Sequence, residues 1–256
     1  MRIALRTAAL AYLGALVLVP LGMILYRTFE NGFVAFYEQV TTPAALAAVS
    51  LSLTIVAIVV PLNVIFGVVT ALALARGNFP GRGILQAVVD LPFAVSPVIV
   101  GVALILFWGN DGWLGGALPV IFSLPGMVLA TIFVTLPFVV REVEPVLAEV
   151  GTDAEEAAAT LGASKWQTFW RITLPAIKVG LAYGVVLTVA RSLGEFGALT
   201  VVAGGVAGES QTLTLLVHAR YIDDHNVFGA YAASTLLMGL ALLTLVLMTT
   251  LQRKRA

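Results

Sequence analysis

Cysteine is absent from this sequence of 256 residues, and charged residues are scarce. Without cysteine the chain can form no disulfide, no thiolate metal site and no cysteine nucleophile. Charged residues make up 11% of the chain against 60% hydrophobic ones, whereas a soluble domain carries about 25% charged residues. The 14 acidic and 14 basic residues cancel, so no net charge attracts nucleic acid. The composition excludes a water-soluble surface and indicates an integral membrane protein.

The sequence also lacks the motifs of enzymes and metal sites. It contains no G-x-x-x-x-G-K-[ST] phosphate-binding loop, no G-x-S-x-G and no H-E-x-x-H, so an intramembrane enzyme would lack its catalytic groups. His218 and His225 are its two histidines, and without a third ligand they are better explained as loop residues than as a zinc site. We therefore expect no catalytic residue, metal or cofactor in this chain.

Long apolar stretches occur six times along the chain. A helix that crosses the hydrocarbon core of a membrane needs roughly 20 apolar residues. Four of the six stretches contain no charged residue, the third contains only Asp90, and the fifth contains only Arg191 and Glu195. The sequence thus predicts an all-α membrane protein of a single domain, residues 1–256, with transmembrane helices at residues 7–26, 51–75, 83–108, 118–140, 179–203 and 227–251.

The basic residues are distributed unevenly between the predicted loops. With the N-terminus in the cytoplasm, all of the 14 basic residues except Arg27, Arg191 and Arg220 lie on the cytoplasmic side. Such an excess of Lys and Arg in cytoplasmic segments sets the orientation of membrane proteins. We therefore expect both termini to be cytoplasmic, with longer outer segments at residues 29–50 and 204–226.

The cytoplasmic connection at residues 141–178 is much longer than a turn between two spans requires. Thr152 with Glu155 has the spacing of a capping box, which predicts a helix that begins there. Three alanines and a leucine follow, and all four are good helix formers. Gly162 is expected to end this helix, because glycine readily adopts the left-handed conformation found after helix C-termini.

A second helix is predicted directly afterwards. Ser164 with Gln167 forms another capping box, and the helix is expected to end at Pro175. Its aromatic residues share one face with a threonine, at positions Trp166, Phe169, Trp170 and Thr173. Two short amphipathic helices of this kind suit either a docking element for another subunit or a pair of interfacial helices on the inner membrane surface.

A motif in the same connection favours the docking interpretation. Residues 156–175 read E-A-A-x3-G-x9-I-x-L-P, which resembles, without a gap, the EAA loop of permease subunits of bacterial ABC importers. The resemblance implies the type I ABC importer permease fold and a coupling helix that docks on a separate ATPase dimer, which binds ATP and magnesium. It also implies that Glu156 meets a basic side chain of that partner. The coupling residues implied are Glu155, Glu156, Ala157, Ala158, Gly162, Ile172, Leu174 and Pro175.

Three segments narrow the resemblance. LPFAVSP at residues 91–97 and RSLGEFGA at residues 191–198 resemble sulfate and molybdate importer permeases. GESQTLTL at residues 208–215 and the coupling loop look closest to the W-type subunit of sulfate/thiosulfate importers. The resemblance implies import of sulfate or thiosulfate across the bacterial cytoplasmic (inner) membrane. Its implied partners are an ATPase dimer, a homologous T-type permease and an external sulfate-binding protein that docks on the outer segments.

Two other transporters remain as alternatives. A molybdate or tungstate importer permease is the near one, because these anions are also tetrahedral dianions. An ion-coupled secondary transporter is the distant one, with the charges in the spans as its relay. A secondary transporter is expected to show repeated halves with paired broken helices, and the sequence shows none.

The charged residues in the third and fifth spans are the candidate residues of a translocation path. An ionised side chain at membrane depth costs roughly 2.5–3.5 kcal/mol on insertion scales, so it usually faces a partner or a water-filled path. Arg191 and Glu195 are four residues apart and can neutralise each other, or Arg191 can assist a passing anion. Asp90 is either a snorkelling residue or a third member of the path. Pro92 and Pro97 are expected to kink the third span.

Overall fold

The computed structural model describes residues 2–114 and 118–253, with the side chains of residues 5–114 and 118–246. Within these ranges the chain is helical and contains no strand, which confirms the predicted all-α class. In chain order the helices are α1 (Arg2–Phe29), α2 (Gly32–Val40), α3 (Pro43–Arg76), α4 (Arg82–Ala94), α5 (Pro97–Trp108), α6 (Leu124–Val150), α7 (Asp153–Thr160), α8 (Lys165–Thr168), α9 (Leu174–Leu193), α10 (Gly197–Val202), α11 (Leu213–His218) and α12 (Val227–Arg253), with π-helical turns at Phe169–Thr173 and Ala219–Asp223.

Five helices in the described ranges are long and apolar enough to cross a membrane. They are α1, α3, α6, α12 and the continuous helix Lys165–Leu193, which joins α8, the first π turn and α9. Helices α4 and α5 together pass the same test, which gives six spans if the pair counts as one.

The third predicted span is not one straight helix. Helices α4 and α5 meet at an angle of 114°, because Val95 and Ser96 between them have extended backbone conformations. Pro97 is the first residue of α5, and a residue that precedes proline is pushed out of the helical conformation. The predicted break at Pro97 is thus confirmed, whereas Pro92 lies inside α4.

The fourth and fifth spans also have different ends from those predicted. Helix α6 begins at Leu124 and continues to Val150, so its last ten residues belong to the stretch predicted as loop. Helix α9 ends at Leu193, and Gly194, Glu195 and Phe196 separate it from α10. The fifth predicted span is therefore a long helix that starts earlier, followed by a break at the charged pair.

Helix α6 lies between α3 and α9, and glycines bring the three backbones together. A Cβ atom at Gly67 of α3 would lie 2.6 Å from the Cβ of Val139 in α6, and one at Gly184 of α9 would lie 2.9 Å from the Val139 Cα. Lipid tails are as apolar as these side chains, so membrane helices associate through such close packing. The buried cluster of the three helices includes Val139, Val143 and Ile177, and side chains from the first π turn and the start of α9 pack against it.

Candidate functional site

The turn between α7 and α8 has the geometry that the sequence predicts. Gly162 has φ +83°, its N–H donates to the Ala159 carbonyl at 3.0 Å, and the Ala163 N–H donates to the Ala158 carbonyl at 3.0 Å. These two bonds form the Schellman motif that ends a helix with a left-handed glycine. Any side chain at position 162 would be strained, so Gly162 fixes the angle at which α8 leaves α7.

Of the two predicted capping boxes, the second is confirmed and the first is wrong. Ser164 and Gln167 exchange both capping bonds, at 2.9 and 3.3 Å. Thr152 makes no capping bond, because its backbone has φ −108° and ψ −9° in place of the extended conformation that an N-cap needs. Its hydroxyl donates to the Glu156 carboxylate at 2.6 Å instead.

The adjacent carboxylates Glu155 and Glu156 point to different surroundings. Glu155 Oε1 accepts a hydrogen bond from the Thr173 hydroxyl at 2.8 Å and one from Arg76 Nη2 at 3.4 Å. Arg76 Nη2 also donates to the Gly151 carbonyl. Glu156 is exposed. Glu155 therefore ties α7 to the end of α3 and to the first π turn, while Glu156 is open to a partner.

Arg76 and Thr173 are functional candidates that the sequence reasoning missed. Arg76 is the last residue of α3 and its only charged residue, and Thr173 is buried in the π turn. The side chains of Arg76 and Glu155 keep 19% and 24% of their exposure, so water screens this contact less than it screens a fully exposed pair. In the sequence, a basic residue at the end of a long uncharged stretch was the feature that could have identified Arg76.

Three large apolar side chains are exposed in and around α7, α8 and the first π turn. Leu161 is 89% exposed, Trp166 is 70% exposed and Trp170 is 50% exposed, and the two indole rings are in edge contact at 5.5 Å. The four residues predicted to share one face differ in burial, because Thr173 is buried and Phe169 packs against the core cluster. The remaining coupling candidates differ in burial: Ala157 and Pro175 are exposed, whereas Ala158, Ile172 and Leu174 are half-buried.

Pro175 does not end the second helix, contrary to the prediction. The chain stays helical from Lys165 to Leu193, and a π turn at Phe169–Thr173 directly precedes the proline. In that turn the Leu174 N–H reaches back five residues to the Phe169 carbonyl. Proline has no N–H and its ring crowds the carbonyl four residues earlier, and the wider π turn relieves this crowding. The predicted coupling segment therefore continues without a break into α9, in a helix long and apolar enough to cross a membrane.

Arg191 and Glu195 form an ion pair across the break after α9. Their Nη2 and Oε2 atoms are 2.8 Å apart. The Glu195 side chain is fully buried and that of Arg191 is 34% exposed. Glu195 Oε1 also accepts the Ala198 N–H at 2.9 Å, at the start of α10. The carboxylate is thus committed to this chain, while part of the guanidinium remains accessible.

Asp90 does not join this pair. It accepts a hydrogen bond from Nε of Arg141 at 2.9 Å, and a second from Nη2 of the same residue. The contact links α4 to α6, with side chains 35% and 45% exposed. The structure therefore pairs Asp90 with Arg141, the first residue of the predicted cytoplasmic connection.

The two histidines have different surroundings. The His218 ring lies 5.2 Å from the Phe196 ring, and His225 is exposed with φ +53°. Among the residues that the structure describes, no group of three or more His, Cys, Asp or Glu side chains could hold a metal.

Comparison with known proteins gives consistent results. Residues 63–256 match the family described as "Binding-protein-dependent transport system inner membrane component". The chain is 47% identical to "Sulfate transport system permease protein CysW" of Synechococcus elongatus, over 98% of this chain and 90% of that protein. It is 34% identical to CysT of Escherichia coli K12, over 96% of this chain and 90% of that one. A chain in the crystal structure of a bacterial ABC transporter that imports alginate has a TM-score of 0.81 at 19% identity, over 99% of this chain and 96% of that chain.

Proposed function

Because this chain belongs to the family of inner membrane components of binding-protein-dependent transport systems, we propose that it is the W-type permease subunit of an ATP-driven sulfate importer. The observation that carries the proposal is the 47% identity to a CysW protein over nearly the whole of both chains. The lower identity of 34% to a CysT protein supports the W-type assignment. Thiosulfate is the second anion that we expect it to carry.

The complete importer contains other chains. We assign ATP and magnesium binding to a separate ATPase dimer, pore formation to this chain together with a T-type permease, and delivery of the anion to an external sulfate-binding protein. The single permease domain lies in the bacterial inner membrane with both termini cytoplasmic. The placement of basic residues and the presence of long apolar helices support this arrangement.

The coupling loop docks on the ATPase through its exposed apolar side. Leu161 and Trp166 are large apolar side chains at 89% and 70% exposure, and exposed apolar patches of this kind mark interaction sites. Glu156 lies on the exposed part of α7 and supplies a carboxylate for a basic side chain of the ATPase. Gly162 sets the angle between the two helices, so both contacts depend on it.

The translocation path passes the break between α9 and α10. Arg191 is one-third exposed there, and a guanidinium beside the path attracts a dianion. The buried Glu195 holds that guanidinium in place and lowers the net charge of the site, so the anion is attracted without being trapped. Asp90, which is paired with Arg141, has a structural role in this account.

Two substitutions test the docking role of the loop. We expect Glu156→Lys and Gly162→Asp to leave the chain inserted in the membrane but to reduce the amount of ATPase that co-purifies with it. The first reverses the charge offered to the partner, and the second forces a side chain into a left-handed conformation that costs about 1–2 kcal/mol. Co-purified ATPase and sulfate uptake are both measured.

Each of these substitutions has a matched control. Glu149→Lys makes the same charge reversal on an exposed residue near the end of α6, outside α7 and α8. Gly81→Asp introduces the same side chain at another left-handed glycine, with φ +97°. Both controls should retain the ATPase. Normal co-purification and normal uptake in both test variants would contradict the docking role.

A further inference from the structure

A polar cavity of about 570 Å³ lies at the predicted outer end of the molecule. It is bounded by the junction of α2 and α3, the segment before α11 and the second π turn. The residues that give it its chemistry are Gln39, Gln211, Arg220, Asp223, Asp224 and Asn226.

Gln211 contributes an unused hydrogen-bond acceptor to this cavity. The residue is 6% exposed, and its Oε1 has no hydrogen-bond partner among the described residues. A buried polar atom left without a partner costs about 1–3 kcal/mol, so such atoms call for an explanation. A ligand group that donates a hydrogen bond would remove this cost.

Arg220 holds the cavity wall together and is not free to bind an anion. It is 6% exposed and donates to the Gly229 carbonyl at 3.0 Å, the Gln39 carbonyl at 3.1 Å and the Thr42 hydroxyl at 2.8 Å. Burial lowers the pKa of its guanidinium, and the nearby Asp224 partly opposes that effect. Because neutral oxygens of three elements accept three of its five N–H donors, this arginine acts as a structural clamp.

Asp223 and Asp224 lie on the exposed side of the cavity. Over the described ranges, neither carboxylate has a hydrogen bond or an ion pair within 4.0 Å, although Asp224 acts on Arg220 at longer range. The cavity therefore offers two free carboxylates in front and an unpaired amide oxygen inside. An anion such as sulfate is excluded by this set, whereas a cationic group with several N–H donors satisfies all of it.

We propose that this cavity receives a lysine or arginine side chain of the external binding protein when that protein docks on the permease. The proposal rests on the proposed function, which requires such a docking partner. The carboxylates attract the basic side chain at the mouth, and Gln211 Oε1 accepts one of its N–H groups inside. A charged rim of this kind contributes mainly to the rate and specificity of association.

The test uses the complete reconstituted transporter with its ATPase and anion-loaded binding protein. ATP hydrolysis is measured as a function of the concentration of binding protein. We expect Asp223→Asn with Asp224→Asn to raise the concentration of binding protein that gives half-maximal stimulation about tenfold at low salt. The difference from the wild type should be smaller at high salt. Gln211→Met, which keeps the side-chain length but removes the acceptor, should raise that concentration without changing the salt dependence.

Glu209→Gln is the matched control, because it removes an exposed carboxylate from the same outer segment but lies outside the cavity. It should behave as the wild type does. Replacing the exposed lysines and arginines of the binding protein by glutamine, one at a time, should identify one whose effect is lost in the Asp223/Asp224 variant. Unchanged stimulation curves in properly assembled variants would overturn the proposal, and so would loss of the T-type permease from these variants, since that chain would then fill the cavity. A binding protein that fails to stimulate even the wild type would instead contradict the proposed function.

Discussion

Replacement of Arg76 by leucine is expected to uncouple ATP hydrolysis from transport. The assembled importer should still bind its ATPase and hydrolyse ATP, while the sulfate moved per ATP falls roughly tenfold or more. Arg76 Nη2 donates to both the Gly151 carbonyl and the Glu155 carboxylate, and a hydrogen bond to a charged group contributes about 1.5–3 kcal/mol. Without these contacts, α7 can move with the ATPase while the spans stay behind.

Arg82→Leu is the control for this variant, because it removes an exposed basic residue from the start of α4. It should transport sulfate as the wild type does. Thr173→Val removes the second donor to Glu155 and should reduce coupling further in the same direction. Tight coupling in a properly assembled Arg76→Leu variant would show that α7 transmits motion without this contact.

Substitutions of the two glutamates of α7 are expected to have different effects. Glu155→Leu is expected to retain the ATPase and lose coupling, because Glu155 contacts the spans of its own chain. Glu156→Lys is expected to lose the ATPase itself, because Glu156 is exposed. Of these adjacent residues, Glu156 is thus expected to hold the ATPase, and Glu155 is expected to transmit its motion to the spans.

The second large effect is expected at Arg191 and Glu195. Arg191→Leu combined with Glu195→Gln should assemble and hydrolyse ATP but import little sulfate. The glutamine retains an acceptor for the Ala198 N–H, so the start of α10 is preserved. Arg191→Leu alone would leave a buried carboxylate unpaired, which costs about 3–5 kcal/mol, and assembly itself should suffer.

Arg27→Leu with Glu30→Gln is the matched control, because these residues form an exposed ion pair at 2.9 Å near the C-terminal end of α1. Radiolabelled sulfate uptake and ATP hydrolysis are measured on the same vesicles. Wild-type uptake by the assembled Arg191/Glu195 variant would show that these charges only hold the helices together.

Local features of the coupling region could be predicted from the sequence because short-range geometry determines them. The left-handed conformation of Gly162 and the capping box of Ser164 with Gln167 each depend on a few neighbouring residues. Thr152 failed as a cap because its backbone is not extended and its hydroxyl binds Glu156, while the expected partner Glu155 is bound by Arg76, which is 79 residues away. A contact at that separation leaves no periodic signal in the sequence.

Pro175 and Asp90 both depend on surroundings that a local sequence pattern does not contain. A proline normally ends a helix, but here a π turn lets the helix continue into α9. The charge of Asp90 left a snorkelling role and a path role open, and its partner Arg141, which lies in α6, could not be identified from spacing. The pairing of Arg191 with Glu195 was predictable from their spacing, and the glycine between them, Gly194, permits the break that follows α9.

We expect this chain to import sulfate only when a separate ATPase hydrolyses ATP. Proteoliposomes that contain this chain, the T-type permease and the ATPase are loaded with ATP, and uptake of radiolabelled sulfate is followed after the binding protein is added outside, with molybdate as competitor. We expect uptake to require ATP, the binding protein and this chain together, and to remain largely intact in excess molybdate. Sulfate uptake driven by an ion gradient without the ATPase, or uptake of molybdate in place of sulfate, would contradict this expectation.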